Sequence, residues 1–479
     1  MKKDQIKILL AGAECTPFAK TGGLADVIGA LPKALSSLGL DVRVILPYHR
    51  AIKEKYREHT EHLIDFNVRL GWRNQYAGIE RLVRDGITYY LVDNEYYFGG
   101  PIYKGGEAEG EQYAFFSRAI LEALLGIDFI PDVIHCNDWH TAMIPMLIKT
   151  QYSNSPLRNI KTLLTIHNIM YQGKFPFGFV HDVLDIDTCY YNSRYLEAYG
   201  CANFMKAGLV FSDKVNTVSP TYAKELQYPY FGYGMEGVIQ ARGGDVVGIL
   251  NGINSEEFNP ETDKYIKYHF SAADLSGKQK DKESLLASMG LTSGPSVPLV
   301  GMVTRLTAQK GLDLVQRVIH EILRENVSLI LLGSGDPAYE SFFRGIEQAY
   351  KGRVCSYIGY NDELSHQIYA GADLFLMPSQ FEPCGISQMI ALRYGALPIV
   401  RETGGLKDTV YPYNQFTGEG TGFSFTNYNA HDMLAAIQYA LRVVCNPQVR
   451  ETLIRKAMQE DNSISRCAQR YQDLYQSML

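Results

Sequence analysis

Short apolar runs recur along the chain, each bounded by turn residues and separated from the next by a longer segment, several of them with helical periodicity. In the first half the runs are Ile6–Ala13, Val42–Leu46, Ile87–Val92, Val133–Cys136, Leu163–Ile166 and Val215–Val218. They are rich in Val, Ile and Leu and do not alternate with polar residues, as expected of strands buried on both faces. Between them, Leu24–Leu38 and Ala114–Leu125 read as helices; in the second, Phe115, Ala119, Ile120, Ala123 and Leu124 fall on one face. Strands alternating with helices predict a parallel sheet covered on both sides. The alternation restarts with Leu299–Val303, Leu329–Leu332, Val354–Ile358, Leu374–Met377 and Leu397–Val400. The expected fold class is therefore α/β, with two Rossmann-like, doubly wound domains.

The break is expected between Arg242-Gly243-Gly244 and Asn251-Gly252, which bracket the short run Val246–Leu250. A polar stretch carrying Lys278, Lys280 and Lys282 follows, and its spacing predicts a solvated helix face. Open parallel sheets bind ligands beyond the carboxyl ends of their strands. With two sheets, the expected site is a cleft between them.

A chain of 479 residues exceeds what one core organises, and 46% hydrophobic with 20% charged residues is a globular composition. The net charge of -6 argues against a nucleic-acid partner, which calls for a broad basic surface. The eight cysteines are scattered with no Cys-x-x-Cys pair, so neither a zinc knuckle nor a disulfide framework is expected, and reduced thiols point to the cytoplasm. Lys2-Lys3 followed by Ile8-Leu9-Leu10 and Ala11-Gly12-Ala13 imitates a signal peptide, but Lys7 interrupts the apolar region, and cleavage would remove the first strand. No uncharged run approaches the ~20 residues of a membrane span.

The candidate chemistry sits at strand ends. Thr-Gly-Gly-Leu occurs twice, at Thr21–Leu24 and Thr403–Leu406, each with an acidic residue two positions on, Asp26 and Asp408. A strand, a glycine turn and a helix start make an anion site, because the first helical N–H groups lack intrahelical partners. Lys20 precedes the first copy and adds a cation. Arg305 and Lys310 follow the strand Leu299–Val303 and are spaced to clamp a diphosphate, although an arbitrary Arg/Lys pair is more often a surface solubility feature. Gly333-Ser334-Gly335 repeats the strand-to-glycine pattern without the third glycine of the dinucleotide fingerprint. Glu382 lies in the Pro/Gly-restricted turn Phe381–Gly385, where a carboxylate can bond sugar hydroxyls or face developing positive charge. Asn137-Asp138-Trp139-His140 and His167-Asn168 close two strands of the first half and supply a polar rim, with His167 as a hydrogen-bonding group or proton carrier. No ligand spacing suggests a metal, and no cofactor is expected.

In this order the motifs resemble the bacterial glycogen synthases and the catalytic domains of plant starch synthases. They are Lys-Thr-Gly-Gly-Leu-Ala-Asp-Val, Asn-Asp-Trp-His, Ile-His-Asn, Leu-Asn-Gly-Ile, Arg-Leu-Thr-x-Gln-Lys-Gly-Leu-Asp, Gly-Ser-Gly-Asp, Glu-Pro-Cys-Gly and Thr-Gly-Gly-Leu-x-Asp-Thr-Val. The resemblance implies the GT-B glycosyltransferase fold, with two domains facing a central cleft. It implies an acceptor domain over 1–245, a nucleotide-sugar domain over 246–455, and a C-terminal helix within 456–479 that returns to the first domain. The implied reaction moves glucose from ADP-glucose to the non-reducing end of an α-1,4-glucan with retention of configuration; UDP-glucose as donor, or a non-catalytic glucan-binding relative, are the alternatives.

Carried over residue by residue, the resemblance puts Lys20 and Gly23 at the donor phosphates and Arg305 and Lys310 on the departing diphosphate. His167 and Glu382 fall at the transferred glucose, and Thr403, Gly404 and Gly405 at phosphate and sugar through backbone N–H groups. Tyr360 falls under the base, Gly333, Ser334 and Asn251 also on the donor side, and Asp138, Asp26, Asn168, Cys384 and Gly385 at other cleft positions. Many retaining transferases carry a second glutamate eight residues after the first; here that position is Ile390, so a double-carboxylate mechanism is excluded. A nicotinamide-dependent oxidoreductase shares the sheet type but needs the glycine fingerprint this chain lacks.

Overall fold

In the first sheet, the strands of highest apolar content lie at the centre, and the charged ones are pushed to one edge. The computed structural model describes residues 5–479. Its strands in order are β1 (Lys7–Ala11), β2 (Asp41–Pro47), β3 (Glu61–Leu70), β4 (Arg73–Arg84), β5 (Ile87–Asp93), β6 (Val133–Asn137) and β7 (Lys161–Ile166). There follow a small antiparallel sheet of β8 (Lys174–Phe175), β9 (Glu197–Ala198) and β10 (Cys201–Asn203), then β11 (Lys214–Thr217) and β12 (Val246–Gly248). The main sheet runs β12-β11-β7-β6-β1-β2-β5-β4-β3. It is parallel as far as β5, whereas β4 and β3 pair antiparallel.

The β3–β4 hairpin is absent from the apolar pattern because its strands are half-exposed and heavily charged. Gly71 at φ +55 turns it; a Cβ there would lie 2.1 Å from the Asp182 carbonyl oxygen.

The second sheet runs β15-β14-β13-β16-β17-β18, all parallel, with β13 (Leu299–Val303), β14 (Ser328–Gly333), β15 (Val354–Ile358), β16 (Leu374–Met377), β17 (Leu397–Arg401) and β18 (Phe423–Phe425). Two compact units result: residues through Gly252 together with Ile464–Leu479, and Ile253–Ser463. The first unit extends past the expected residue 245 because Val246–Gly248 pairs with β11 as the edge of the first sheet. At the other end, helix Pro447–Gln459 buries Leu453, Ile454, Ala457 and Met458. It stays with the second unit, so the returning segment starts at Ile464 rather than 456.

That last helix, Ile464–Met478, buries Cys467, Ala468, Tyr471, Leu474 and Tyr475, the spacing of one helical face. The face joins the first unit's core beside Leu24, Ile28, Leu31 and Leu35 of helix Gly23–Ser37. Among the described residues, no helix is long and apolar enough to cross a membrane.

Two lysines of helix Ser276–Ser288 correct an expectation, while Lys280 is exposed as expected. Lys278 and Lys282 are buried, not solvated. Lys278 Nζ donates to the carbonyl oxygens of Ala370, Ala372 and Tyr394 at 2.8, 3.0 and 2.8 Å, at the ends of two helices where the macrodipole favours a cation. Burial pushes its pKa down to about 7. Lys282 Nζ lies 2.6 Å from Asp373 Oδ2.

Candidate active site

Each unit gathers polar groups at the carboxyl ends of its parallel strands. In the second unit β13 has β14 on one side and β16 on the other, so successive crossovers leave it in opposite directions. Such a switch point opens a crevice beyond the strand ends. The loop after β13 is fastened on both flanks. Leu306 N donates to Ser334 O (2.9 Å) and Asp336 N to Leu306 O (2.8 Å) on one side; Gln380 N donates to Gln309 O (2.8 Å) on the other. The glycines serve this backbone-on-backbone packing. A Cβ on Gly333 would fall 1.9 Å from Thr304 O, and one on Gly311, at φ +70, 2.0 Å from Pro378 O.

That loop carries Arg305 and Lys310. Arg305 is exposed and forms no ion pair among the described residues. Lys310 Nζ lies 2.7 Å from Glu382 Oε2, with both side chains largely buried, and Ser379 Oγ donates to the same oxygen at 2.9 Å. Buried Thr307 Oγ1 has no hydrogen-bond partner among the described residues. The second Thr-Gly-Gly turn packs directly on this segment: a Cβ on Gly404, at φ +44, would meet Glu382 O at 1.9 Å, and one on Gly405 would meet Cys384 O at 2.1 Å. Gly405 N already donates to Glu382 O and Pro383 O, so this N–H does not point outward as expected. Gly385 turns at φ +73, and buried Gln388 holds the turn by donating to the carbonyl oxygens of Cys384 and Gly385. Tyr360, just past β15, exposes 76% of its surface.

In the first unit β1 runs into Gly12–Gly22 and helix Gly23–Ser37. The N–H groups of Thr21 and Gly22 are taken by Glu14, whose Oε2 lies 2.5 Å from Thr21 N, 2.7 Å from Thr21 Oγ1 and 3.3 Å from Gly22 N. The turn is thus an anion site filled by the chain's own carboxylate, a second correction to the expected outward N–H groups. Burial raises the Glu14 pKa, opposed by these hydrogen bonds and by one from Tyr103. Lys20 and Asp26 form a surface ion pair at 2.8 Å.

At the ends of β6 and β7, Asn137 Nδ2 donates to the carbonyl oxygens of Ala11 and His135, both at 3.1 Å. Its amide orientation follows, and Asn137 Oδ1 accepts from His167 Nε2 at 2.9 Å. His167 is therefore the Nε2–H tautomer, with Nδ1 as an acceptor. Burial pushes its pKa down to about 3, which keeps the ring neutral. Asp138, at φ +56, accepts from His167 N (2.8 Å) and Asn168 N (3.4 Å). Burial outweighs these bonds and raises its pKa to about 7. Asn251, just past β12, is buried, and its Oδ1 has no hydrogen-bond partner among the described residues. Among the described residues no three His, Cys, Asp or Glu side chains gather as a metal site.

The model of the starch synthase catalytic domain matches residues 7–241, and that of group 1 glycosyl transferases matches residues 291–459. The glycogen synthase of Geobacillus thermodenitrificans strain NG80-2 is 51% identical over 475 residues, which are 99% of this chain and 98% of that protein. The chain belongs to the glycogen synthase family. The glycogen synthase of Bacillus cereus strain B4264 is likewise 51% identical, over 99% of this chain and all of its own. The catalytic domain of starch synthase IV from Arabidopsis thaliana, solved bound to ADP and acarbose, superposes with a TM-score of 0.91 at 33% identity over 99% of both chains. A sucrose-phosphate synthase from Thermosynechococcus elongatus, at 19% identity and a TM-score of 0.63, shares the fold. The fold is GT-B, and the activity is glucosyl transfer in glycogen synthesis.

Several groups in these clusters escape a reading of the family motifs. Glu14 carries a weak signal, a lone acid just past an apolar strand. Asn137 stands inside a quoted motif, yet its role as partner of His167 depends on the pairing of β6 with β7. Ser379 lies outside the quoted motifs, three residues before the Glu382 it bonds. Tyr103 carries no signal at all.

Proposed function

We propose that the donor is ADP-glucose, that the acceptor is the non-reducing end of an α-1,4-glucan, and that transfer retains the anomeric configuration. The observation that carries this reading is the buried Lys310–Glu382 pair beside exposed Arg305 at the switch point of the second sheet. Two cations suit a departing diphosphate, whose charge grows as the bond to C1 of glucose breaks. Glu382, held by Ser379 and Lys310, faces the positive charge developing on the sugar. The acceptor 4-hydroxyl then bonds to C1 on the face the diphosphate leaves, and its proton passes to a phosphate oxygen. Ile390, an apolar side chain buried in helix Ser387–Arg393, supports a single-carboxylate route. Double displacement would need two carboxyl groups ~5 Å apart.

On this reading the second unit holds the donor, with Tyr360 under the base, Gly333 and Ser334 beside the phosphates, and Thr403–Gly405, Cys384 and Gly385 shaping the pocket. The first unit holds the acceptor. Lys20 and Gly23 reach phosphate, His167 bonds the glucose, and Asp138, Asn168, Asp26 and Asn251 line the remaining positions. ADP bound to the Arabidopsis relative favours the adenine nucleotide. The eight free thiols suit a cytoplasmic enzyme. The test is glucose transfer to glycogen from each nucleotide sugar, with product anomer read by NMR. ADP-glucose should be strongly preferred and give α-linkages; equal or better kcat/KM with UDP-glucose refutes the donor assignment.

A further inference from the structure

Behind the Asn137–His167 contact runs a chain of buried polar side chains that the reaction as described leaves unused. Tyr471 and Tyr475 lie one turn apart on the C-terminal helix Ile464–Met478 and are fully buried. The Tyr475 hydroxyl lies 2.8 Å from His135 Nδ1, and His135 Nε2 lies 2.5 Å from Thr165 Oγ1. Thr165 Oγ1 donates to Asn216 Oδ1 at 2.5 Å, and Asn216 Nδ2 donates to the Tyr471 hydroxyl at 3.0 Å. The chain crosses β6, β7 and β11 and begins and ends on one helix. Apolar side chains would fill the same space at no desolvation cost, so packing alone does not explain these five.

The donor count gives the chain a direction. Thr165 has one hydroxyl proton, and it goes to Asn216 Oδ1. The Thr165 oxygen therefore accepts from His135 Nε2–H, which leaves His135 Nδ1 to accept from the Tyr475 hydroxyl. Burial, with the nearby His167, pushes the His135 pKa down to about 3, so the ring stays neutral and able to play both parts. The strands then carry this order to the site. His135 O and Ala11 O fix the Asn137 amide, whose Oδ1 takes the proton of His167 Nε2. Thr165 O accepts from Asp138 N at 2.9 Å, and Asp138 Oδ1 accepts from His167 N.

We propose that the C-terminal helix is a positioning element for His167: Tyr475 and Tyr471 fix His135 and Thr165, and these fix Asn137 and Asp138, which set the ring and tautomer of His167. The proposal rests on the reading of His167 as the glucose contact for its effect on turnover, and on geometry alone for its effect on the ring.

The test compares Tyr475→Phe and Tyr471→Phe with Leu474→Ala, which removes apolar packing from the same buried helix face. Imidazole ¹⁵N shifts report the tautomers; kcat, KM and Tm are measured on the same full-length proteins. The parent should show His135 and His167 both as Nε2–H. Tyr475→Phe should shift both rings and lower kcat by roughly tenfold or more, as misplacing a substrate contact does, with donor KM within about twofold. Tyr471→Phe should act in the same direction and stands in if Tyr475→Phe fails to fold. Leu474→Ala should lower Tm and leave the His167 signals and kcat unchanged. If a Tyr→Phe variant disturbs His167 no more than Leu474→Ala does, the proposal falls, whatever happens to turnover. A disturbed His167 with parental kcat instead overturns the glucose-contact reading and leaves the positioning standing.

Discussion

Replacing Asp138 by Asn should make the protein more stable at alkaline pH and leave it nearly unchanged in acid. The carboxyl group is buried, and its pKa is raised from 3.8 to about 7 by burial, despite two backbone N–H donors. A group whose folded pKa lies above its unfolded value binds its proton more tightly in the folded state. Its contribution to stability is full below the unfolded pKa of 3.8 and is lost as pH rises towards about 7. Each tenfold difference in proton affinity between the folded and unfolded chain is worth ~1.4 kcal/mol, so holding Asp138 ionised above pH 8 costs about 4 kcal/mol, with roughly half of that already lost by pH 5.5. Asn keeps an acceptor oxygen for the His167 and Asn168 N–H groups but carries no charge to desolvate. Thermal unfolding of both proteins between pH 4 and 8.5 should show curves that nearly meet at the acid end and diverge with rising pH, with the Asn variant higher by several degrees at pH 8. A difference in Tm that stays constant across this range, or a variant less stable at pH 8 than at pH 5 relative to its parent, refutes burial as the dominant influence.

The remaining predictions concern the second unit. Arg305→Ala removes an exposed cation with no ion pair to lose, so turnover should fall by roughly 10²-fold with Tm unchanged, and near-normal turnover would exclude a diphosphate contact. Glu382→Ala should impair transfer while ADP binding by calorimetry persists; loss of ADP binding in a folded variant would place Glu382 on the nucleotide instead. Gly333→Ala drives a methyl to 1.9 Å from Thr304 O, so the Arg305 loop must shift; turnover should drop by at least tenfold and Tm should fall, whereas a fully active, stable variant would show that the loop's place is immaterial.

Much of the architecture was legible along the chain because it rests on local signals. An apolar run of five residues between turn residues marks a buried strand wherever it goes, and Gly311, Gly333 and Gly404 mark places where the backbone turns or another segment comes close. Those signals located the strand ends and hence the neighbourhood of Arg305, Lys310, Glu382, Asp138 and His167. They misread the glycine turns, since a glycine that admits a phosphate looks the same in sequence as one that admits a carbonyl oxygen, and only the fold put Glu14 on Thr21 and Glu382 O on Gly405. The hairpin β3–β4 escaped because its strands are half-exposed, so no apolar run announces them. Partner choice was out of reach altogether. Lys310 meets Glu382 across 72 residues and His135 meets Tyr475 across 340, distances set by strand order rather than by any period in the sequence. Lys278 and Lys282 of helix Ser276–Ser288 show the limit most directly: their spacing says only that they share a face, and whether that face meets water or, for Lys278, the carbonyl oxygens of Ala370, Ala372 and Tyr394 was decided by the elements packed against it.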